Sequence, residues 1–356
     1  MPVSKPDTTG GYRPQLTVGE DIGRPAIDCL RWDGVLETRL LSPKIHEILL
    51  GLSRVRNAVS SFRLEGETVE LNRARELLEG QAPATPSELG VLRLAKEYSG
   101  LSPIHLPKFT VAGICEMHRN LFADILQPDW VGVLKPRQNY IVNSGSESLR
   151  FTPTPPERTE AELESLLRWY REIRFSLVPP IVAGLFFAEF QAIHPFMDGN
   201  GRVGRLLNIA ILTDLGCRRA SLIPLDTRFF RTSENYYDQL GTTNGGEHYA
   251  TWTRYFVGEV QAAYKIAAKQ ANLGPVVSRY SRESTRVVLR WILAGDGGWF
   301  SRGEYPNPRK YSQPALWSSL NELVKGGLLE AAGQKRGRRY RLKSKFLAAV
   351  YARKFV

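Results

Sequence analysis

The sequence predicts a mainly α-helical protein with one short β-hairpin near its middle and a separate basic module at its C-terminus. Apolar residues recur at three- and four-residue steps over 44–126 and again over 181–215, the spacing of buried helix faces. Residues 132–156 break that rhythm with alternating side chains and turn formers. Charge is partitioned as well. From position 276 onward seventeen Lys and Arg stand against five Asp and Glu, an excess equal to the net charge of +12 of the whole chain. A neutral body joined to a cationic segment reads as separate modules, the second suited to an acidic partner.

At 356 residues the chain exceeds one typical domain. The expected divisions are 1–110, an N-terminal arm and helical region; 111–270, a helical domain carrying the chemistry; and 276–356, the basic module. The three cysteines, Cys29, Cys115 and Cys217, are far apart and lack CxxC spacing, so neither a disulfide framework nor a zinc site is indicated. The first residues lack the apolar core of a leader, and no apolar run reaches membrane-spanning length, so a cytoplasmic protein with no membrane partner is expected.

Residues up to about Pro43 are rich in Pro and Gly and read as an extended arm packed on the domain. A helix follows from Lys44, marked by Ile45, Leu49, Leu52, Val55, Ala58, Phe62 and Leu64. Near its end Ser61 and Glu65, four apart, share one face, with Gly66 directly behind. Residues 71–126 continue as helices broken at Pro83, Pro86, Pro103 and Pro107. Residues 132–142 read as a short hairpin that the Asn143-Ser144-Gly145 turn ends. The apolar run 181–193 reads as a buried helix, and another helix is expected over 202–215. Near the C-terminus Val287, Val288, Trp291 and Ile292 give one helical face, and residues 313–325 give another, ended by Gly326 and Gly327. Strands over 328–331 and 340–342 then flank a turn containing Lys335, Arg336, Arg338 and Arg339.

The chemistry is concentrated in twelve residues, 194–205, HPFMDGNGRVGR. His194 sits where a buried helix meets a loop and can take a proton near neutral pH. Asp198 is a hard oxygen ligand of the kind Mg²⁺ prefers. Gly199, Asn200 and Gly201 permit close approach of phosphate to the N–H groups that open the next helix. Arg202 and Arg205, three apart, project from one face and can fork onto successive phosphates.

This stretch resembles the motif of the Fic family, HPFx(D/E)GNGRxxR, with all nine fixed positions present. The resemblance implies a Fic helical domain whose usual activity is transfer of AMP from ATP to a hydroxyl of a protein Tyr, Ser or Thr. It implies His194 as base and Asp198 on Mg²⁺. Asn200 and the glycine amides would hold the α- and β-phosphates, Arg202 the β-phosphate and Arg205 the γ-phosphate. Ser61, Glu65 and Gly66 resemble the family's inhibitory motif (S/T)xxxE(G/N), whose glutamate pairs with the second motif arginine, here Arg205. The hairpin with Lys135, Gln138, Asn139, Tyr140 and Ile141 resembles the Fic flap, which docks a target segment by adding a strand; Lys135 stands where family flaps commonly carry arginine. Asn235, Tyr236 and Tyr237 resemble a stretch that closes the adenine pocket, although aromatics there serve equally as core.

The last module resembles a winged helix-turn-helix domain, whose basic turn suits DNA phosphates and whose fold also mediates protein contacts. Two other functions stay open: a nucleotide-sensing DNA-binding regulator, and removal of AMP from a modified protein with Glu65 positioning water. A homodimer is a further expectation from the resemblance. His46, His105, His118 and His248 lack partners at metal-ligand spacing and read as structural.

Overall fold

The computed structural model describes residues 3–39, 43–142, 149–243, 249–271, 280–294, 298–305, 307, 311–334 and 337–343. In chain order the elements are β1 (Val3–Ser4), α1 (Glu20–Arg39), α2 (Pro43–Leu64), α3 (Leu71–Leu78), α4 (Pro86–Gly100), α5 (Val111–Phe122), β2 (Ile141–Val142), β3 (Leu149–Thr152), α6 (Pro156–Ile173), α7 (Pro179–Ile193), α8 (Asn200–Asp214), α9 (Leu225–Arg231), α10 (Ser233–Gly241), α11 (Tyr249–Ala271), α12 (Glu283–Ala294), β4 (Phe300–Ser301), α13 (Gln313–Lys325), β5 (Leu329–Ala332) and β6 (Arg339–Leu342). No helix among the described residues is long and apolar enough to cross a membrane.

The molecule is organised around α7. Every residue from Pro180 to Ile193 is buried, as a helix apolar on all sides requires, and α1, α6, α8 and α11 pack around it. Gly184 lets the Phe256 ring lie against the helix, and its carbonyl accepts the Trp252 indole N–H at 2.8 Å. On the other side α2 packs against α4 and α9, and its C-terminal end reaches α8. Pro86 opens a helix instead of breaking one. Thr85 before it accepts the Glu88 amide at 3.2 Å, and Thr110 caps α5 through the Gly113 amide in the same way.

Three expectations are corrected. The arm extends only to Gly19, after which α1 runs for 20 residues. Ile22, Ala26, Cys29, Asp33 and Leu36 are all buried at alternating steps of four and three. That pattern outweighs Gly23, Pro25 and Gly34 because burial against α11 supplies more than the local propensities remove. The arm itself is fixed by Lys5, whose ammonium lies 3.0 Å from Glu162 and 2.7 Å from Glu189.

The hairpin is also displaced. Residues 132–140 form no strand; β2 pairs antiparallel with β3, which lies beyond the expected turn, and β1 adds to β3 in parallel, giving the order β1-β3-β2. The Asn143-Ser144-Gly145 turn lies outside the described residues.

The C-terminal module holds a third strand. The two expected helices, α12 and α13, pack on a sheet ordered β4-β6-β5, so the hairpin β5–β6 is extended by β4. Trp291 sets its edge against Phe300 and Tyr305 at 5.0 and 5.4 Å. The unit contacts α2, and Arg75 of α3 donates to the Trp291 carbonyl at 3.0 Å.

Candidate active site

α7 ends because His194 turns left-handed, at φ 52° and ψ 60°. For a non-glycine residue this conformation is uncommon and must be held by its surroundings. The ring Nδ1 lies 3.2 Å from the Gln191 carbonyl. A carbonyl only accepts, so Nδ1 carries the proton in that bond and Nε2 keeps its lone pair. Burial, reinforced by the Lys135 charge, pushes the imidazole pKa down to about 4, against the pull of the Gln191 bond and the Glu65 and Asp198 charges. At neutral pH it is an uncharged acceptor.

The loop that follows is closed by Asn200. Its side chain accepts the Phe196 amide and donates to the Phe196 carbonyl, both at 2.8 Å. Asn200 therefore staples the loop rather than extending towards a ligand. Gly199 adopts φ 82°, and a Cβ there would strike the Phe122 ring. Only glycine fits this start of α8, where amides face the loop.

Both motif arginines are buried and occupied. Arg202 lies between the Phe62 and Phe122 rings, 4.9 and 4.7 Å from their centres. It donates to Glu67 at 2.6 Å and to Asp198 at 2.9 Å, and its Nε finds no hydrogen-bond partner among the described residues. Arg205 donates to the Ser61 hydroxyl at 2.7 Å, the Ser61 carbonyl at 2.9 Å and Glu65 at 2.6 Å. Asp226 lies 3.9 Å behind it. Burial raises the Asp226 pKa to about 6, opposed by Arg205 and by hydrogen bonds from Tyr98 and Ser61. The Glu65 carboxylate lies against Gly201, so a Cβ at that position would collide with it. It thus lies against the first turn of α8, where the sequence leads one to expect a phosphate seat.

Local backbone explains how Glu65 reaches that seat. The Glu67 amide bonds the Phe62 carbonyl at 3.1 Å, the Gly66 amide bonds the Arg63 carbonyl at 3.1 Å, and Gly66 has φ 81°. These are the two bonds of a Schellman cap with glycine in its left-handed position. The cap turns the chain so that Glu65 and Glu67 both meet α8. Tyr237 pins the same turn by donating to the Leu64 carbonyl at 2.6 Å.

The other expected site residues separate. Tyr236 belongs to the core, packed on Phe229 at 4.9 Å and on Trp252 at 6.0 Å. Asn235 is exposed and bonds Gln239. Lys135 and Asn139 are buried beneath the loop 194–196, and Gln138 bonds the Asn139 and Pro153 carbonyls. Tyr140 is exposed, and Ile141 pairs with Phe151. Arg338 lies over the Tyr340 ring at 5.5 Å, and Arg339 donates to the Trp299 carbonyl at 2.9 Å. Lys335 and Arg336 lie outside the described residues.

Sequence reasoning missed Glu67, Asp226 and the role of His118. The His118 Nδ1 accepts the Gly132 amide at 2.9 Å, which leaves Nε2–H to donate to the Asp198 carbonyl at 3.0 Å. The ring stacks on Phe196 at 4.0 Å, and burial pushes its pKa down to about 4. It is a structural histidine, as expected, but one that positions the motif loop. Its only signal in the sequence was a polar residue on an apolar helix face.

No group of three or more His, Cys, Asp or Glu able to hold a metal exists among the described residues. The exposed Asp198 carboxylate suits Mg²⁺ bound through one protein oxygen plus water and phosphate oxygens.

The buried helix, the left-handed histidine and the arginine-bearing helix that follows define a Fic-fold protein. Residues 108–212 match the Fic/DOC family. The chain is 28% identical over 194 residues to protein adenylyltransferase fic-1 of Caenorhabditis elegans, covering 52% of this chain and 35% of that protein. It is 27% identical over 194 residues to protein adenylyltransferase Fic of Drosophila melanogaster, covering 52% and 37%. The chain thus spans little more than a third of these relatives. Among solved structures, a Fic family protein from Desulfovibrio desulfuricans superposes with a TM-score of 0.63 at 19% identity, covering 94% of this chain and 99% of that one. A fragment of Fic-1 from C. elegans gives 0.54 at 20% identity, covering 72% and 74%.

Proposed function

We propose that this chain is a protein adenylyltransferase that moves AMP from ATP to a Tyr, Ser or Thr hydroxyl of a protein target or of itself. The observation that carries the reading is an uncharged His194, with an acceptor Nε2, beside a helix N-terminus flanked by two buried arginines. Its similarity to named adenylyltransferases supports the same class.

In the reaction the target hydroxyl gives its proton to His194 Nε2 as its oxygen attacks the α-phosphorus; the bond to pyrophosphate breaks, and pyrophosphate leaves with its electron pair. The amides at the start of α8, Arg202 and Arg205 take up the charge that develops on the leaving phosphates. Mg²⁺, when bound through Asp198, neutralises part of that charge. Exposed Tyr140 and the edge of β2 that no described strand pairs offer the target main chain a docking strand.

Glu65 holds this activity low. Its carboxylate sits where phosphate would meet Gly201 and binds the guanidinium assigned to the γ-phosphate. Glu67 does the same to Arg202. The test is incubation of wild type, Glu65→Gly and His194→Ala with Mg²⁺ and α-labelled ATP, with adducts read by intact mass. Label on Glu65→Gly but not on His194→Ala is expected. Absence of label on Glu65→Gly with ATP bound normally would overturn transfer; release of AMP from a modified protein would favour the reverse reaction.

A second activity rests on the C-terminal unit. Its two helices, three-stranded sheet and cationic hairpin resemble a winged helix, and the charge excess there fits a DNA duplex. Homodimer formation and a cytoplasmic location remain part of the proposal.

A further inference from the structure

Four consecutive backbone carbonyls, from Ile193 to Phe196, all accept hydrogen bonds from two residues of the preceding segment. The Lys135 ammonium donates to the Ile193 carbonyl at 3.0 Å, and the Lys135 amide donates to the Pro195 carbonyl at 2.8 Å. Asn139 Nδ2 donates to the His194 carbonyl at 3.2 Å and to the Phe196 carbonyl at 2.8 Å. A bond of 2.9 Å from Lys135 to Asn139 Oδ1 ties the two together. Both side chains are buried, so neither is placed to touch a docked target.

We propose that Lys135 and Asn139 are positioning residues that hold His194 in its left-handed conformation and so aim Nε2 at the incoming hydroxyl. The inference rests on His194 as the base. A left-handed histidine relaxes readily towards ordinary backbone unless its neighbours over-determine it. Fixing the carbonyls on both sides of the residue, as well as its own, removes that freedom. Burial lowers the Lys135 pKa to about 7, but a neutral amine still carries two hydrogens for its two acceptors. The brace therefore survives either protonation state. A residue that merely stabilised the fold would not divide catalysis from nucleotide binding, whereas loss of aim does.

The experiment uses the full chain carrying Glu65→Gly, with Asn139→Ala, Asn139→Asp, Lys135→Met or Lys135→Arg added. Rates of self-labelling from α-labelled ATP and the ATP dissociation constant are measured separately, with the His194 ring signal followed by NMR in nucleotide-free protein. Asn139→Ala and Lys135→Met are expected to slow labelling about 10- to 100-fold while ATP affinity stays within about twofold. Lys135→Arg recovers the rate that Lys135→Met loses. Asn139→Asp, which keeps the acceptor and lacks the donors, fails like Asn139→Ala. Unchanged labelling, or ATP affinity that falls in step with it, overturns the proposal. If the Glu65→Gly protein itself never labels, the transfer reading fails instead. The brace is then judged on the ring signal, which must broaden or split in Asn139→Ala and Lys135→Met and stay single in Lys135→Arg. A ring signal untouched by all of these overturns it.

Discussion

Replacing Glu65 with Gly removes the carboxylate that accepts from Arg205 at 2.6 Å while leaving Ser61 and Asp226 on the same guanidinium. A hydrogen bond between charged groups contributes about 1.5–3 kcal/mol. The Glu65 side chain is 30% exposed, so solvent screening places this bond near the lower end. ATP must displace that bond to use Arg205, and each 1.4 kcal/mol is about tenfold in affinity. The expected gain in ATP affinity is therefore roughly tenfold, measured by calorimetry in a His194→Ala background where turnover is blocked. Glu67→Gln should yield less, about threefold to fivefold, because Arg202 keeps Asp198. The two carboxylates belong to one capped turn, so the double variant should fall short of the product of the single effects. An ATP affinity that does not move in Glu65→Gly would refute the argument that this carboxylate occupies the phosphate seat.

The remaining predictions follow from single contacts. His118 and His194 both have folded-state pKa values pushed down to about 4 from 6.5. The stability they confer is present above pH 6.5 and drains away as pH falls through about 4. The melting temperature should drop across that window, and His118→Asn should flatten the drop. Gly199→Ala forces a Cβ into the Phe122 ring at a positive φ and should cost about 1–3 kcal/mol in denaturant unfolding. Reversing the charges of Arg336, Arg338 and Arg339 should abolish any salt-sensitive duplex binding, seen as a mobility shift, without altering self-labelling by Glu65→Gly.

The sequence disclosed most where function depends on neighbours in the chain. Residues 194–205 are contiguous, each had a chemical reason for its position, and the structure brings them to one loop and helix. Glu65 was legible because Ser61 and Gly66 lie beside it. Glu67 was not, since its partner Arg202 is 135 positions away and the Schellman cap that aims it leaves only a glycine as its trace. Asp226 was hidden for the same reason. Lys135 and Asn139 were expected to dock a target because their segment resembles a Fic flap, yet burial turns them inward. In α1, turn-forming residues drew attention from the apolar spacing of Ile22, Ala26, Cys29 and Leu36, which Asp33 interrupts at the same face.

The cap at 62–67 places both carboxylates beyond the last residue of α2. Releasing the two carboxylates from the arginines therefore does not require α2 to leave α4 and α9. Fraying of the terminal turn suffices, with loss of the three backbone hydrogen bonds that the Glu65, Gly66 and Glu67 amides donate to Phe62 and Arg63, and of the Tyr237 contact. Such local opening lies far below global unfolding on the energy scale. If this helix N-terminus seats ATP as proposed, the resting protein samples an open seat through that local opening, and ATP captures it by mass action.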